Sequence, residues 1–395
     1  MADPVVIAGA ARTPLGAYQG ELSMLPATRL GSLAIAAALD RAGLTPDRVD
    51  EVLMGCVLPA GLGQAPARQA ALGAGLPTAV PCTIVNKVCG SGMKAVMLAH
   101  DAILSGASEI VVAGGMESMS NAPYLLPKAR GGYRIGHGQV LDHMMLDGLE
   151  DAYDLRPDGT RRSMGTFGED CAARYQLTRE AQDGYATASI ARAREATGRG
   201  AFAWEIVPVE AKGEPIITDE GPRRIKPEKI PTLKPAFAPD GTITAASSSS
   251  INDGAAALVL LRQSRAESEG VQPLARIIGQ ATFAGEPGWF TTAPIHAIRR
   301  LCDRLGWRPG DVDLYEINEA FAVVPMAAMQ ELGLPHDRVN VQGGACALGH
   351  PIGASGARIL VTLLGALRER DLDRGIAAIC IGGGEAMAVA VERLR

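Results

Sequence analysis

Two stretches of this 395-residue chain, 263 positions apart, share a G-x-x-P-x-x-V-D frame: Gly43-Leu44-Thr45-Pro46-Asp47-Arg48-Val49-Asp50 and Gly306-Trp307-Arg308-Pro309-Gly310-Asp311-Val312-Asp313. The register continues downstream, where Ser91-Gly92 opens one helical stretch and Ser355-Gly356 another, an offset of 264. Each stretch then runs into an apolar segment that ends in glycines, Ala113-Gly114-Gly115 and Ile381-Gly382-Gly383. Chance produces one such match easily; three in near-constant register imply a duplicated α/β half.

Within the halves, short apolar runs (Val5 to Ala8, Val49 to Gly55, Ile110 to Ala113) alternate with Ala-rich helical ones (Arg29 to Ala42, Met93 to Ser105). That alternation predicts βαβ units around a buried, largely parallel sheet, with Gly43 and Gly106 as C-terminal caps. From Ser120 to about Ala246 the texture changes, with acidic residues between Asp147 and Asp154 and a Pro/Lys/Arg-rich run from Pro222 to Pro239. Long irregular insertions of this kind serve as lids or binding loops. Thr178 is expected to N-cap a helix running to Ala196. The expected division is residues 1–120 plus about 247–272 for the first half, 121–246 for the inserted subdomain and 273–395 for the second half.

A formal charge of −5 argues against a nucleic-acid partner, which needs clustered Lys and Arg. The opening Met1-Ala2-Asp3-Pro4 lacks a basic leader, and no apolar run approaches a membrane span, so a cytoplasmic protein without membrane contact is expected. Seven scattered cysteines read as reduced thiols rather than a disulfide framework.

Four segments carry chemistry. In Asn86-Lys87-Val88-Cys89-Gly90-Ser91-Gly92-Met93-Lys94, glycines allow a tight turn and a helix follows, so Cys89 would face free N–H groups and the positive end of a helix dipole, conditions that favour thiolate. Taken alone, Cys89 reads more readily as a small buried apolar residue, as free cysteines mostly are. The run from Asn340 to Gly356 places His350 in a glycine-rich turn before the helix that mirrors the one after Cys89, where an imidazole can deprotonate a thiol. Cys380-Ile381-Gly382-Gly383-Gly384 offers a second thiol and backbone N–H groups for an oxyanion. Asn318, in Glu316-Ile317-Asn318-Glu319-Ala320-Phe321, reads either as a water-holding amide or as an N-cap. In the insertion, Arg223 and Arg224, followed by Lys226 and Lys229, form a basic patch of the kind a nucleotide phosphate needs, or a solvated face.

The segments N-K-V-C-G-S-G-M-K, N-E-A-F, G-G-A-x-A-L-G-H-P-I-G-A-S-G and C-I-G-G-G, taken in order, resemble the signatures of the thiolase family, and the resemblance runs over nearly the whole chain. It implies a five-layer αβαβα core of duplicated βαβ halves with an inserted loop subdomain that binds coenzyme A. It also implies an acyltransferase that condenses two acyl-CoA units to a 3-ketoacyl-CoA, or cleaves one. By the resemblance Cys89, activated by His350, takes the acyl group, and Cys380 moves the α-proton. The N–H groups of Cys89 and Gly382 form one oxyanion site; His350 and a water on Asn318 form the other. The pantetheine contacts would be Leu149, Met164, Ala236, Phe237, Ala245, Ser249, Ile251 and, from N-E-A-F, Phe321. No metal or redox cofactor is implied, coenzyme A being substrate and product; the partners are acyl-CoA and a second copy of the chain, as a dimer or dimer of dimers, with residues 121–143 supporting the latter.

Three alternatives stand beside this reading. A decarboxylating ketoacyl synthase resembles a Cys-His-His arrangement, whereas this chain offers Cys380. A non-catalytic acyl-CoA or lipid carrier would lack a nucleophile or base. A thiol metal site would need paired ligand spacing. Departures from the family pattern fall at Ser163, at Ser247 to Ser250 and at Ala386, which bear on specificity, and Cys346 is an extra thiol for which packing is favoured over a redox role.

Overall fold

The computed structural model describes residues 3–155, 159–211 and 213–395, so Met1 and Ala2 of the N-terminal reading lie outside the described residues. In chain order the first half supplies β1 (Val5–Arg12), α1 (Ala27–Ala42), β2 (Glu51–Gly55), α2 (Pro66–Gly73), β3 (Cys82–Val85), α3 (Ser91–Ser105) and β4 (Ile110–Ser118). An insertion containing α4 (Met164–Tyr175) and α5 (Arg179–Gly198) follows, and β5 (Asn252–Arg262) returns to complete the half. The second half repeats the order with β6 (Ala275–Ala284), α6 (Ala293–Leu305), β7 (Leu314–Ile317), α7 (Val323–Leu332), α8 (Ser355–Glu369), β8 (Arg374–Ile381) and β9 (Glu385–Arg393). A short parallel bridge from Tyr315 to Val339 stands where β3 stands in the first half.

Each half orders its strands alike. The first runs β3-β2-β4-β5-β1, the second β7-β8-β9-β6, and an antiparallel pairing of Val6 with Arg276 joins them into one sheet path. The expectation of a largely parallel sheet is corrected here. Only the β2–β3, β2–β4 and β7–β8 pairs are parallel, and the five pairs through the middle are antiparallel. The cause is burial: helices cover both faces, so even an antiparallel strand such as β5, buried over all but its last residue, carries an unbroken apolar run from Ala255 to Leu261.

One apolar cluster holds α3, α8 and the inner faces of both sheets; a second packs α1 and α2 on the outer face of the first sheet, and a third packs α6 and α7 on the second. The layers are therefore α, β, α, β, α. The central layer explains the small residues at the repeat. A side chain on Gly356 would strike the backbone of Met93 at 2.4 Å and one on Gly92 would strike Ala357 N at 2.9 Å, so α3 and α8 cross with backbones nearly touching at their N-termini. That crossing brings the Cys89 and His350 turns, each just ahead of one helix, to the same end of the molecule. The caps behave as read: Gly43 and Gly106 sit at φ +68° and +77°, and the Thr178 hydroxyl accepts from Ala181 N–H. α1 and α3 begin a little earlier than the periodicity indicated, at Ala27 and Ser91.

The insertion is anchored by charge. Arg12 of β1, fully buried, donates to both carboxylate oxygens of Asp219 at 2.7 and 2.9 Å and to Glu205 at 2.5 Å. A bidentate, desolvated pair of this kind fixes orientation as well as position. Among the described residues no helix is long and apolar enough to cross a membrane.

Candidate active site

A cavity of about 230 Å³ opens where the two halves and the insertion meet. Its walls include Val88 and Cys89 from the first half, His350, Ile352, Phe321 and Gly382 from the second, and Leu149, Tyr153 and Met164 from the insertion. Thus Leu149, Met164, Ser249 and Phe321 stand on the wall as read from the sequence. Ile251 packs against the apolar cluster of Val57, Leu58, Met119, Met144 and Ile352 beside the cavity, and Phe237 stacks edge-on against Phe321 with ring centroids 5.7 Å apart. Ala236 and Ala245 lie off the wall, and so do Arg223 and Arg224, which pair with Glu21 at 2.7 Å and Glu220 at 2.9 Å.

Cys89 sits two residues ahead of α3, with Gly90 as the cap. The tight turn is not made by a glycine as expected: Val88 takes the left-handed conformation at φ +45°, while Gly90 has φ −86°. A β-branched residue there stores about 1–3 kcal/mol and persists only if its surroundings over-determine it. Four bonds do so. Val88 N–H donates to Asn86 Oδ1 at 3.0 Å, Gly90 N–H to Lys87 O at 3.0 Å, Lys87 N–H to Ser91 Oγ at 2.8 Å, and the Ser91 hydroxyl to Val88 O at 2.7 Å. Gly90 is needed for room, since a Cβ would meet Ile381 and Met387 at 2.5 Å.

Burial pushes the Cys89 thiol up to about 11, against the pull of the N–H groups of Gly382 and Cys89 itself, with Glu117 adding to the rise. The N–H groups pull toward thiolate, the direction read from the sequence, and burial is the larger effect. The two N–H groups converge on the sulfur, and so point where charge would develop at a carbonyl bonded to it. Because the thiol is held protonated, alkylation of Cys89 by iodoacetamide should keep accelerating with pH toward about 11. A rate profile that levelled at or below the ordinary thiol range, about 8.5, would contradict this.

His350 is buried, and its Nδ1 lies 2.6 Å from the Ser355 hydroxyl at the start of α8. Ser355 also reaches Pro351 O at 2.9 Å. One hydroxyl can serve both tautomers. It accepts from Nδ1–H while donating to Pro351, or turns to donate to Nδ1 when the proton rests on Nε2. Nε2 faces the cavity without a protein partner among the described residues. Burial, helped by the charge of Arg358, drops the imidazole to about 3, so it is neutral near pH 7. Ser355→Ala should lower kcat about tenfold, the worth of one hydrogen bond, with KM little changed and Ser355→Thr restoring the rate. Unaltered kcat in the alanine variant would remove Ser355 from the positioning role.

Cys380 ends β8, fully buried, and its thiol is raised well above the ordinary range by burial first and by the neighbouring Cys89 second. Two thiols so close cannot both ionise. Asn318 follows β7, its N–H bonded to Ala378 O at 2.9 Å in the strand that carries Cys380. Both atoms of its buried side-chain amide lack a protein partner among the described residues, as fits a water-holding group rather than an N-cap. The serine run ties these parts together through backbone bonds, which depend little on its side chains. Ser249 N–H donates to Ala320 O at 3.0 Å, Ala322 N–H to Ser247 O at 2.8 Å and His350 N–H to Ser250 O at 3.2 Å.

Several supporting groups escape a sequence reading. Glu117 accepts from Val57 and Leu58 N–H at 2.9 and 3.1 Å and from Gly353 N–H at 2.9 Å, stapling the His350 loop to the first half; burial lifts its carboxyl to about 7. Glu319 accepts from Tyr185, Ser189, Asn340 and the N–H of Cys346, and the Cys346 thiol, buried against that carboxylate, is held firmly protonated. Packing accounts for Cys346. Among the described residues, no group of three or more His, Cys, Asp or Glu side chains is placed to hold a metal ion.

The chain and its fold are similar to known proteins. Residues 5–264 match a family model described as "Thiolase, N-terminal domain" and residues 271–393 one described as "Thiolase, C-terminal domain". "Acetyl-CoA acetyltransferase 2" of Arabidopsis thaliana is 52% identical over 397 residues, covering 99% of this chain and 97% of its own. "Acetyl-CoA acetyltransferase" of Cupriavidus necator is 50% identical over 395 residues, covering 98% and 99%. Among solved structures, "Acat5 thiolase from Ascaris suum in complex with coenzyme A" superposes with a TM-score of 0.93 at 43% identity, covering 99% of this chain and 100% of that one.

Proposed function

Given that the chain belongs to the thiolase family, we propose that Cys89, His350, Cys380 and Asn318 join and cleave acyl-CoA units through an acyl-Cys89 intermediate. The enzyme is an acyltransferase of the thiolase class, catalysing condensation to a 3-ketoacyl-CoA and the reverse thiolytic cleavage. The observation that carries the mechanism is the meeting of Cys89, the Gly382 N–H and His350 Nε2 in one cavity.

In the first half-reaction the Cys89 proton passes to His350 Nε2 and the sulfur bonds to the thioester carbonyl carbon. The N–H groups of Cys89 and Gly382 hold the oxyanion. The C–S bond to coenzyme A then breaks, and the departing thiolate takes the proton from His350. In the second, with Cys89 acylated and no longer able to carry a charge that opposes it, Cys380 loses its proton to solvent and as thiolate removes the α-proton of the incoming acyl-CoA. Its enolate oxygen faces His350 Nε2 and the water on Asn318. The enolate carbon attacks the Cys89 thioester, and on collapse the Cys89 sulfur leaves and takes up the proton carried by Cys380. Coenzyme A is substrate and product, and no metal or redox group takes part.

Relatives named for acetyl-CoA, and a cavity narrowed by Phe290 and Phe321, support an acetyl unit as the preferred one. Acetoacetyl-CoA should be the best cleavage substrate, with kcat/KM falling at least about tenfold by an eight-carbon chain, since even one methylene that a pocket fails to accept costs about 1–3 kcal/mol. Turnover that rises with chain length would favour the broader 3-ketoacyl-CoA thiolase of fatty-acid degradation instead. The proposal places the enzyme in the cytoplasm and in fatty-acid metabolism, as a dimer or a homotetrameric dimer of dimers. Exposed Tyr124, Leu126, Ile135 and Val140 within residues 121–143 support the larger assembly.

A further inference from the structure

The turn that carries Cys89 is self-contained. Its internal bonds, running among Asn86, Lys87, Val88, Gly90 and Ser91, fix its shape but not its distance from the glycine hairpin of the other half. That distance matters, because one oxyanion donor, the Cys89 N–H, belongs to the turn, and the other, the Gly382 N–H, belongs to the hairpin. A polar contact spans the gap: Lys87 Nζ donates to Glu385 Oε2 at 2.6 Å, with the two side chains 25% and 31% exposed. Glu385 opens β9, paired to Ile381 on one side and Ala284 on the other, so its carboxylate is mounted on the sheet next to the hairpin. Lys87 stands two residues before the nucleophile, beside the left-handed Val88 whose side chain faces Gly382.

We propose that Lys87 and Glu385 are a positioning pair for the thioester chemistry, holding the Cys89 turn of one half at the spacing from the Gly382 hairpin of the other that lets both N–H groups reach one oxygen. The proposal rests on the acyl-Cys89 mechanism given above. Neither side chain of the pair lines the cavity. It acts through the backbone on either side of it, and being largely shielded from water it is weakly screened. Removing an oxyanion donor outright costs about 100- to 1000-fold, and a pair that only sets the spacing of two donors costs less.

The test compares two reactions of Cys89 in the full chain. Acetylation by acetyl-CoA forms an oxyanion; alkylation by iodoacetamide displaces iodide and forms none. Lys87→Met and Glu385→Gln should each slow acetylation and kcat about tenfold, with KM within about twofold and the alkylation rate unchanged. The double variant should be no worse than the slower single, and the reversed pair, Lys87→Glu with Glu385→Lys, should recover most of the rate. Acetylation within twofold of the unaltered enzyme, equal slowing of alkylation, or a loss carried by KM would each overturn the proposal. An unaltered enzyme that is alkylated at Cys89 but never acetylated there would overturn the underlying mechanism, and the proposal with it.

Discussion

Cys89→Ala is expected to lose turnover in both directions by at least about 10⁴-fold while folding normally. The loss is large because the sulfur is the atom to which the acyl group bonds; without it only binding and the oxyanion donors remain, and a broken nucleophilic unit retains little else. Folding should survive because the Cys89 side chain lines the cavity wall, so its truncation enlarges a space that already exists. Steady-state thiolysis of acetoacetyl-CoA alongside a thermal melt checks both halves of the statement. Activity within about 100-fold of the unaltered enzyme, with the melt unchanged, would mean that another group carries the acyl unit.

Cys380→Ser is expected to separate the two half-reactions. Acylation of Cys89 should stay within about tenfold, since His350 and not Cys380 takes the Cys89 proton, whereas condensation should fall about 10³-fold because an alcohol does not ionise where a thiol can. The change is close to isosteric in a site with no exposed surface, so geometry is kept while proton affinity changes. Burst acylation followed by stopped-flow condensation measures each step. Equal losses in the two would show that Cys380 shapes the pocket rather than moving a proton.

The repeat made the architecture legible: offsets of 263 and 264 residues reappear as the matched pairs β2 and β7, α3 and α8, β4 and β8. Strand direction was not legible, because burial on both faces erases the alternation that would mark an antiparallel strand such as β5. The nucleophile, base and second thiol were visible because each sits in a glycine-bounded turn of distinctive sequence. Their protonation was not, since the burial that raises Cys89 and lowers His350 comes from residues remote in the chain. The supporting contacts are hidden for the same reason: Glu117 reaches Gly353 across 236 positions and Lys87 reaches Glu385 across 298. The left-handed residue in the Cys89 turn was misplaced because two glycines stand beside it, and conformational freedom is naturally assigned to glycine; close packing claimed them instead.

The mechanism turns on one covalent bond, and the mass of the Cys89 peptide after brief incubation of the enzyme with acetyl-CoA tests it most directly. A single added acetyl group on that peptide, discharged when coenzyme A is supplied, is the expected result. A folded enzyme that binds coenzyme A and cleaves acetoacetyl-CoA, yet never carries acetyl on Cys89, would contradict it.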